Sequence, residues 1–118
     1  MKTCKLLREQ VAAATGSKKA ELVLKNAQIV NVFTQSVETG DIAIEGGYIV
    51  GIGNYEGITE KDLGGAYVCP GFLDGHIHIE SSMTSPGEFE RAVVPHGTIA
   101  VITDPHEIAN VAGTAGIR

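Results

Sequence analysis

Asp74, His76 and His78 fall at alternate positions in the run Val68-Cys69-Pro70-Gly71-Phe72-Leu73-Asp74-Gly75-His76-Ile77-His78-Ile79-Glu80-Ser81-Ser82. Side chains on a β-strand repeat with period two, so alternate positions leave from one face. That puts a carboxylate and two imidazoles together, while Leu73, Gly75, Ile77 and Ile79 take the other face. Polar groups on a strand face are buried only if something there pairs with them, and a divalent cation does so for imidazoles. A second polar cluster, Asp104-Pro105-His106-Glu107, follows an apolar run over 98–103.

The chemistry requires elements to hold it. Phe72–Ile77 is predicted to be a strand. Ser85-Pro86-Gly87-Glu88 offers a capping serine, a proline at the first helical position and a glutamate three residues after the cap, a capping box. A helix is expected over 86–94, closing before Pro95-His96-Gly97. Thr98–Thr103 is apolar and β-branched, the pattern of a strand covered on both faces. Strand, helix, strand in this order predicts a parallel βαβ unit. Both polar clusters then lie at the carboxyl ends of consecutive parallel strands, where α/β proteins place their chemistry.

The preceding stretch differs in texture. Leu6, Leu7, Val11 and Ala14 recur near the helical period, predicting a helix over 5–15 that ends at Gly16. Short strands are expected at 21–24, 28–33, 41–45, 48–53 and 66–68, with Gly46-Gly47 closing a tight hairpin, as a small antiparallel sheet. The expected division is a helical segment over 1–19, a sheet portion over 20–69 and the βαβ unit over 70–118.

Composition narrows the function classes. Net charge is −5 and Lys18-Lys19 is the longest basic stretch, so a nucleic-acid footprint is not supported. No apolar run approaches membrane-spanning length and no signal-peptide core is present, which makes the cytoplasm the default expectation. Cys4 and Cys69 stand in no metal-like spacing and read as reduced thiols. His106-Glu107-Ile108-Ala109-Asn110 begins like the helical zinc-protease motif but ends in Asn. His96 is expected to be exposed or structural, at the opposite end of the βαβ unit from the polar clusters.

Pro70 through His78 resembles the first barrel strand of the metal-dependent amidohydrolase superfamily. Within it, Asp74 through Met83, Pro95-His96-Gly97-Thr98 and Asp104 through Val111 are similar to the adenine deaminase family, as is the sheet segment from Asn26 to Gly53. The resemblance implies an α/β architecture: part of a β-sandwich followed by the first βαβ unit of a TIM-type (β/α)₈ barrel, incomplete in this chain. It implies His76 and His78 as metal ligands, and Glu80, Ser81, Ser82, Asp104, His106 and Glu107 as substrate-binding or supporting residues. Manganese or iron is the expected metal, with zinc as an alternative. The implied reaction is hydrolytic deamination of adenine to hypoxanthine and ammonia, in a homo-oligomer acting on a small purine, with no nucleic acid or membrane partner.

A TIM-type barrel needs roughly 250 residues, and this chain has 118. The expectation is therefore an N-terminal fragment that lacks deaminase activity alone and binds metal weakly. Two other readings stay open. One is a different cyclic-amide hydrolase or aminohydrolase of the same superfamily. The other is a non-catalytic assembly module that associates through uncovered apolar faces.

Overall fold

The computed structural model describes residues 3–117. The chain is α/β, with one mixed and one parallel sheet, and it divides between Cys69 and Pro70 into two compact units.

The first unit opens with α1 (Cys4–Ala14), capped at its start by the Thr3 hydroxyl, which accepts from the Leu6 amide at 3.4 Å. Its end is a Schellman motif. The Gly16 amide donates to Ala13 O at 3.1 Å and the Ser17 amide to Ala12 O at 3.0 Å, with Gly16 at φ +71°. Five strands follow: β1 (Ala20–Asn31), β2 (Ser36–Glu45), β3 (Tyr48–Gly53), β4 (Gly57–Asp62) and β5 (Tyr67–Val68). Gly46 and Gly47 both take positive φ, the two-residue primed turn that matches strand twist.

The sheet departs from the antiparallel expectation. The order is β3-β2-β1-β4, and β4 and β5 each pair with β1 in parallel. The two short strands expected at 21–24 and 28–33 are one strand interrupted by a bulge between Leu24 and Ala27, where the register on β2 runs from Ile42 to Gly40. The cause is Asp41. Its carboxylate accepts from the Lys25 ammonium and from the Asn26 amide (3.1 Å), and holds Asn26 at φ +56°. Before the bulge β1 pairs with β4; after it, with β5. Strand β4 carries Thr59, Glu60, Lys61 and Asp62 and is mostly exposed, so it has little apolar signal to betray it. Such charge is how edge strands avoid further pairing.

The core of this unit is Ala13, Ala20, Val23 and Ala43, with a second cluster of Ala27, Ile29 and Ile42. Two buried polar groups are satisfied inside it. Glu45 accepts from the Lys18 ammonium (2.8 Å) and the Glu21 amide (2.9 Å), and the Gln10 side chain donates to the Glu45 carbonyl.

The second unit runs β6 (Phe72–Ile77), a 3₁₀ turn (Ile79–Ser82), α2 (Pro86–Val93), a 3₁₀ turn (Val94–His96), β7 (Thr98–Thr103), α3 (His106–Ala112) and a final 3₁₀ turn (Gly113–Ile117). β6 and β7 are parallel neighbours. Ser85 caps α2, accepting from the Glu88 amide at 3.4 Å. The reciprocal half of the capping box is replaced: the Glu88 carboxylate accepts from Arg91 instead, at 3.1 Å. Helix α3 lay outside the sequence expectation. Strand β7 is not covered on both faces here; Ile99 and Ile102 are 68% and 66% exposed, because two strands and one crossover helix cannot enclose them.

Candidate metal centre

The two imidazoles converge. His76 lies on β6 and His78 just past its end, and their Nε2 atoms are 3.1 Å apart, with the rings edge to face. A metal bound at 2.0–2.1 Å by two nitrogens separates them by about 2.9 Å at a right angle and about 3.4 Å at the tetrahedral angle. The observed spacing falls between those values, so the pair fits the bite of one cation.

The tautomer of His78 follows from its other nitrogen. Nδ1 lies 2.9 Å from the Asp104 carbonyl oxygen, which can only accept. Nδ1 therefore carries the proton and Nε2 keeps its lone pair for a ligand, the usual orientation of metal-bound histidine. Asp104 is brought there by the sheet, since its amide donates to Ile77 O at 3.0 Å, one step beyond the end of β7.

Asp104 stands near the pair as a third candidate ligand. One ligand atom each from His76, His78 and Asp104 lies within 4.8 Å of the others. His106 adds a ring edge-to-face on His78, centroids 4.8 Å apart, and its Nδ1 is 3.2 Å from the Asp104 carboxylate. Asp74, expected on the same face as the histidines, is used differently. The β6 register slips by one residue between Asp74 and Ile77, and the Asp74 carboxylate accepts from the His76 amide at 3.1 Å. Strict alternation fails at that slip.

The supporting residues separate into two groups. Glu80 accepts from the Ile108 amide at 3.1 Å, and Ser81 donates to the Glu107 carboxylate at 3.3 Å, so both tie the turn after β6 to the start of α3. The Glu80 carboxyl is held below its ordinary range by its own backbone amide and that of Ile108; burial opposes this, and His78 and His106 add to it. Ser82 stays local, donating to Ile79 O at 2.6 Å and pairing with the Thr84 hydroxyl. His96 is exposed in the turn before β7, and Cys69 is exposed. The contribution that no motif signalled is the Asp104 backbone carbonyl, which orients His78 from 26 residues away.

Comparison with known proteins adds the following. Residues 67–118 match the amidohydrolase family model. The chain is 61% identical over 114 residues to adenine deaminase 2 of Carboxydothermus hydrogenoformans, covering 97% of this chain and 20% of that protein. It is 59% identical over 112 residues to adenine deaminase of Geobacillus kaustophilus, covering 95% and 19%. Among solved structures, an L-hydantoinase (dihydropyrimidinase) from Arthrobacter aurescens superposes with a TM-score of 0.56 at 21% identity, covering 73% of this chain and 21% of that one. The chain thus spans about a fifth of the length of the curated relatives it matches. Among the described residues no helix is long and apolar enough to cross a membrane.

Proposed function

From the homology of this chain to adenine deaminases over nearly its whole length, we propose that it is a segment of a metal-dependent hydrolase converting adenine to hypoxanthine. Water adds at C6 of the purine, the C6–N6 bond breaks, and ammonia leaves with the proton balance supplied by the water. In this reading residues 1–19 are a leading helical segment, 20–69 part of a β-sandwich and 70–118 the first βαβ unit of a TIM-type barrel. The protein works in the cytoplasm on a small purine, as a homo-oligomer.

The observation that carries the proposal is the convergence of His76 and His78 Nε2 with the Asp104 carboxylate. These residues would hold a divalent cation, with manganese or iron as the assigned occupant. A cation there supplies Lewis acidity, which makes water a nucleophile near neutral pH. The chain's own residues prepare that site. The Asp104 carbonyl fixes the His78 ring and its tautomer, and His106 packs on that ring while facing the Asp104 carboxylate. Glu80, Ser81 and Glu107 hold the two loops together, and Ser82 braces its own turn.

The test uses the full protein carrying this chain, stripped of metal and reloaded with manganese(II), with adenine as substrate. Ammonia and hypoxanthine should appear in equal amounts. Changing an outer-sphere residue typically costs 10–100-fold in metal affinity or activity, so His76→Ala and His78→Ala should each lose more than about 100-fold in both. Undiminished manganese binding in both variants would overturn the metal-centre assignment. Turnover of a cyclic amide with none of adenine would move the substrate class and leave the centre standing.

A further inference from the structure

Helix α3 begins without a cap of its own. Its N-cap position is Pro105, whose side chain cannot accept a hydrogen bond, so the first amides of the helix need partners from elsewhere. One comes from Glu80, 28 residues earlier, whose Oε1 accepts from the Ile108 amide at 3.1 Å. Glu80 lies in the 3₁₀ turn that follows His78, and Ile108 follows the Asp104-Pro105-His106-Glu107 segment. The bond therefore joins the loop behind the two histidines to the loop that carries Asp104 and His106. The other carboxylate oxygen, Oε2, is buried and has no hydrogen-bond partner among the described residues.

We propose that Glu80 is a positioning residue for the metal centre: its carboxylate substitutes for the missing cap of α3 and so holds Asp104 against the His76–His78 pair. Glu80 touches none of the three candidate ligands in a hydrogen bond; it acts through the α3 backbone. The inference rests on the metal-centre reading above and adds to it a side chain that, beside the Ser81–Glu107 bond, ties the two loops together at the start of α3. The hydrogen bond, more than the charge, is what the role requires. Gln offers the same acceptor at Oε1 and an amide in place of the unpaired oxygen, whereas Ala offers nothing.

The experiment compares wild type, E80A and E80Q in the full protein, with two readouts: manganese(II) titration of the metal-free protein, and hydrogen–deuterium exchange of the peptide over 104–112. In E80A, manganese affinity should fall roughly 10–100-fold, as for other residues that orient ligands, and exchange over 104–112 should accelerate while the β6 and β7 peptides keep their rates. E80Q should stay close to wild type in both. E80A matching wild type in both readouts would overturn the proposal, and so would E80Q falling as far as E80A, which would make the charge itself the agent. Were E80A to lose the β6 and β7 protection as well, it would report unfolding, and E80Q would carry the decision. A wild-type protein that takes up no manganese would sink the metal-centre reading, yet the exchange comparison would still decide whether Glu80 clamps α3.

Discussion

The stretch through Cys69 and the stretch from Pro70 onward solve opposite problems. The first buries an apolar core, with Val23 fully inaccessible between α1 and the sheet, and satisfies its buried carboxylates with lysines and backbone amides. The second has no buried hydrophobic residue among those described, yet it holds every histidine of the candidate metal centre. Phe72, Leu73, Ile99 and Ile102 are all more than half exposed on its two-stranded sheet. In this chain the buried apolar side chains and the candidate metal ligands therefore belong to different units.

The largest contrast should come from truncating one apolar side chain in each unit. Val23→Ala removes methyl groups from a site with no exposure and should cost roughly 2–3 kcal/mol in urea or thermal unfolding of this chain. Ile99→Ala, at a side chain 68% exposed, should fall within about 0.5 kcal/mol. Equal losses in this chain would erase the distinction. The same Ile99→Ala made in the full protein should become expensive if further barrel strands cover β7, which sharpens the proposed architecture.

A smaller effect separates the units by pH. The Lys25 ammonium bonded to Asp41 holds that carboxyl below its ordinary value of 3.8; burial opposes this, and the Asn26 and Tyr55 amides assist it. A carboxyl depressed by folding stabilises the fold above its unfolded-state value and loses that contribution as pH falls through its folded-state value. The bulged sheet should therefore weaken below pH 3.8. Asp41→Asn should cost about 2 kcal/mol near neutral pH, since hydrogen bonds to a charged acceptor are lost. The gap between variant and wild type should narrow in acid. Unfolding curves from pH 7 to 2 that run parallel for the two proteins would refute the assigned role of Asp41.

Features specified within a few residues could be read directly. The His76-Ile77-His78 spacing places two rings together because period two survives from one to the other. Gly46-Gly47 demands a primed turn, and Ser85-Pro86 starts a helix. Features that depend on distant partners could not. The bulge at Asn26 exists because Asp41 reaches it from 15 residues away, and it turns two expected strands into one. The parallel pairing of β4 had no apolar alternation to announce it. Helix α3 starts behind a proline that supplies no cap, and its partner Glu80 is 28 residues upstream. Asp74 shows the converse: a local rule placed it with the histidines, and a one-residue slip in register gave its carboxylate to a backbone amide.

The smallest expected effect lies within the second unit, between a helix capped locally and one capped from afar. The Ser85 hydroxyl accepts from the Glu88 amide at 3.4 Å, a long bond, and the Glu88 carboxylate turns to Arg91 rather than back to the cap. Ser85→Ala should therefore cost less than about 1 kcal/mol, at the low end for a capping serine. It should speed exchange in the first turn of α2 while leaving manganese affinity in the full protein unchanged. The bond Ser85 makes joins neighbours already fixed by the chain, whereas the bond Glu80 makes joins two loops 28 residues apart in sequence. If Ser85→Ala lowered manganese affinity as much as E80A, helix capping in general, and not the loop-to-loop clamp, would govern the centre.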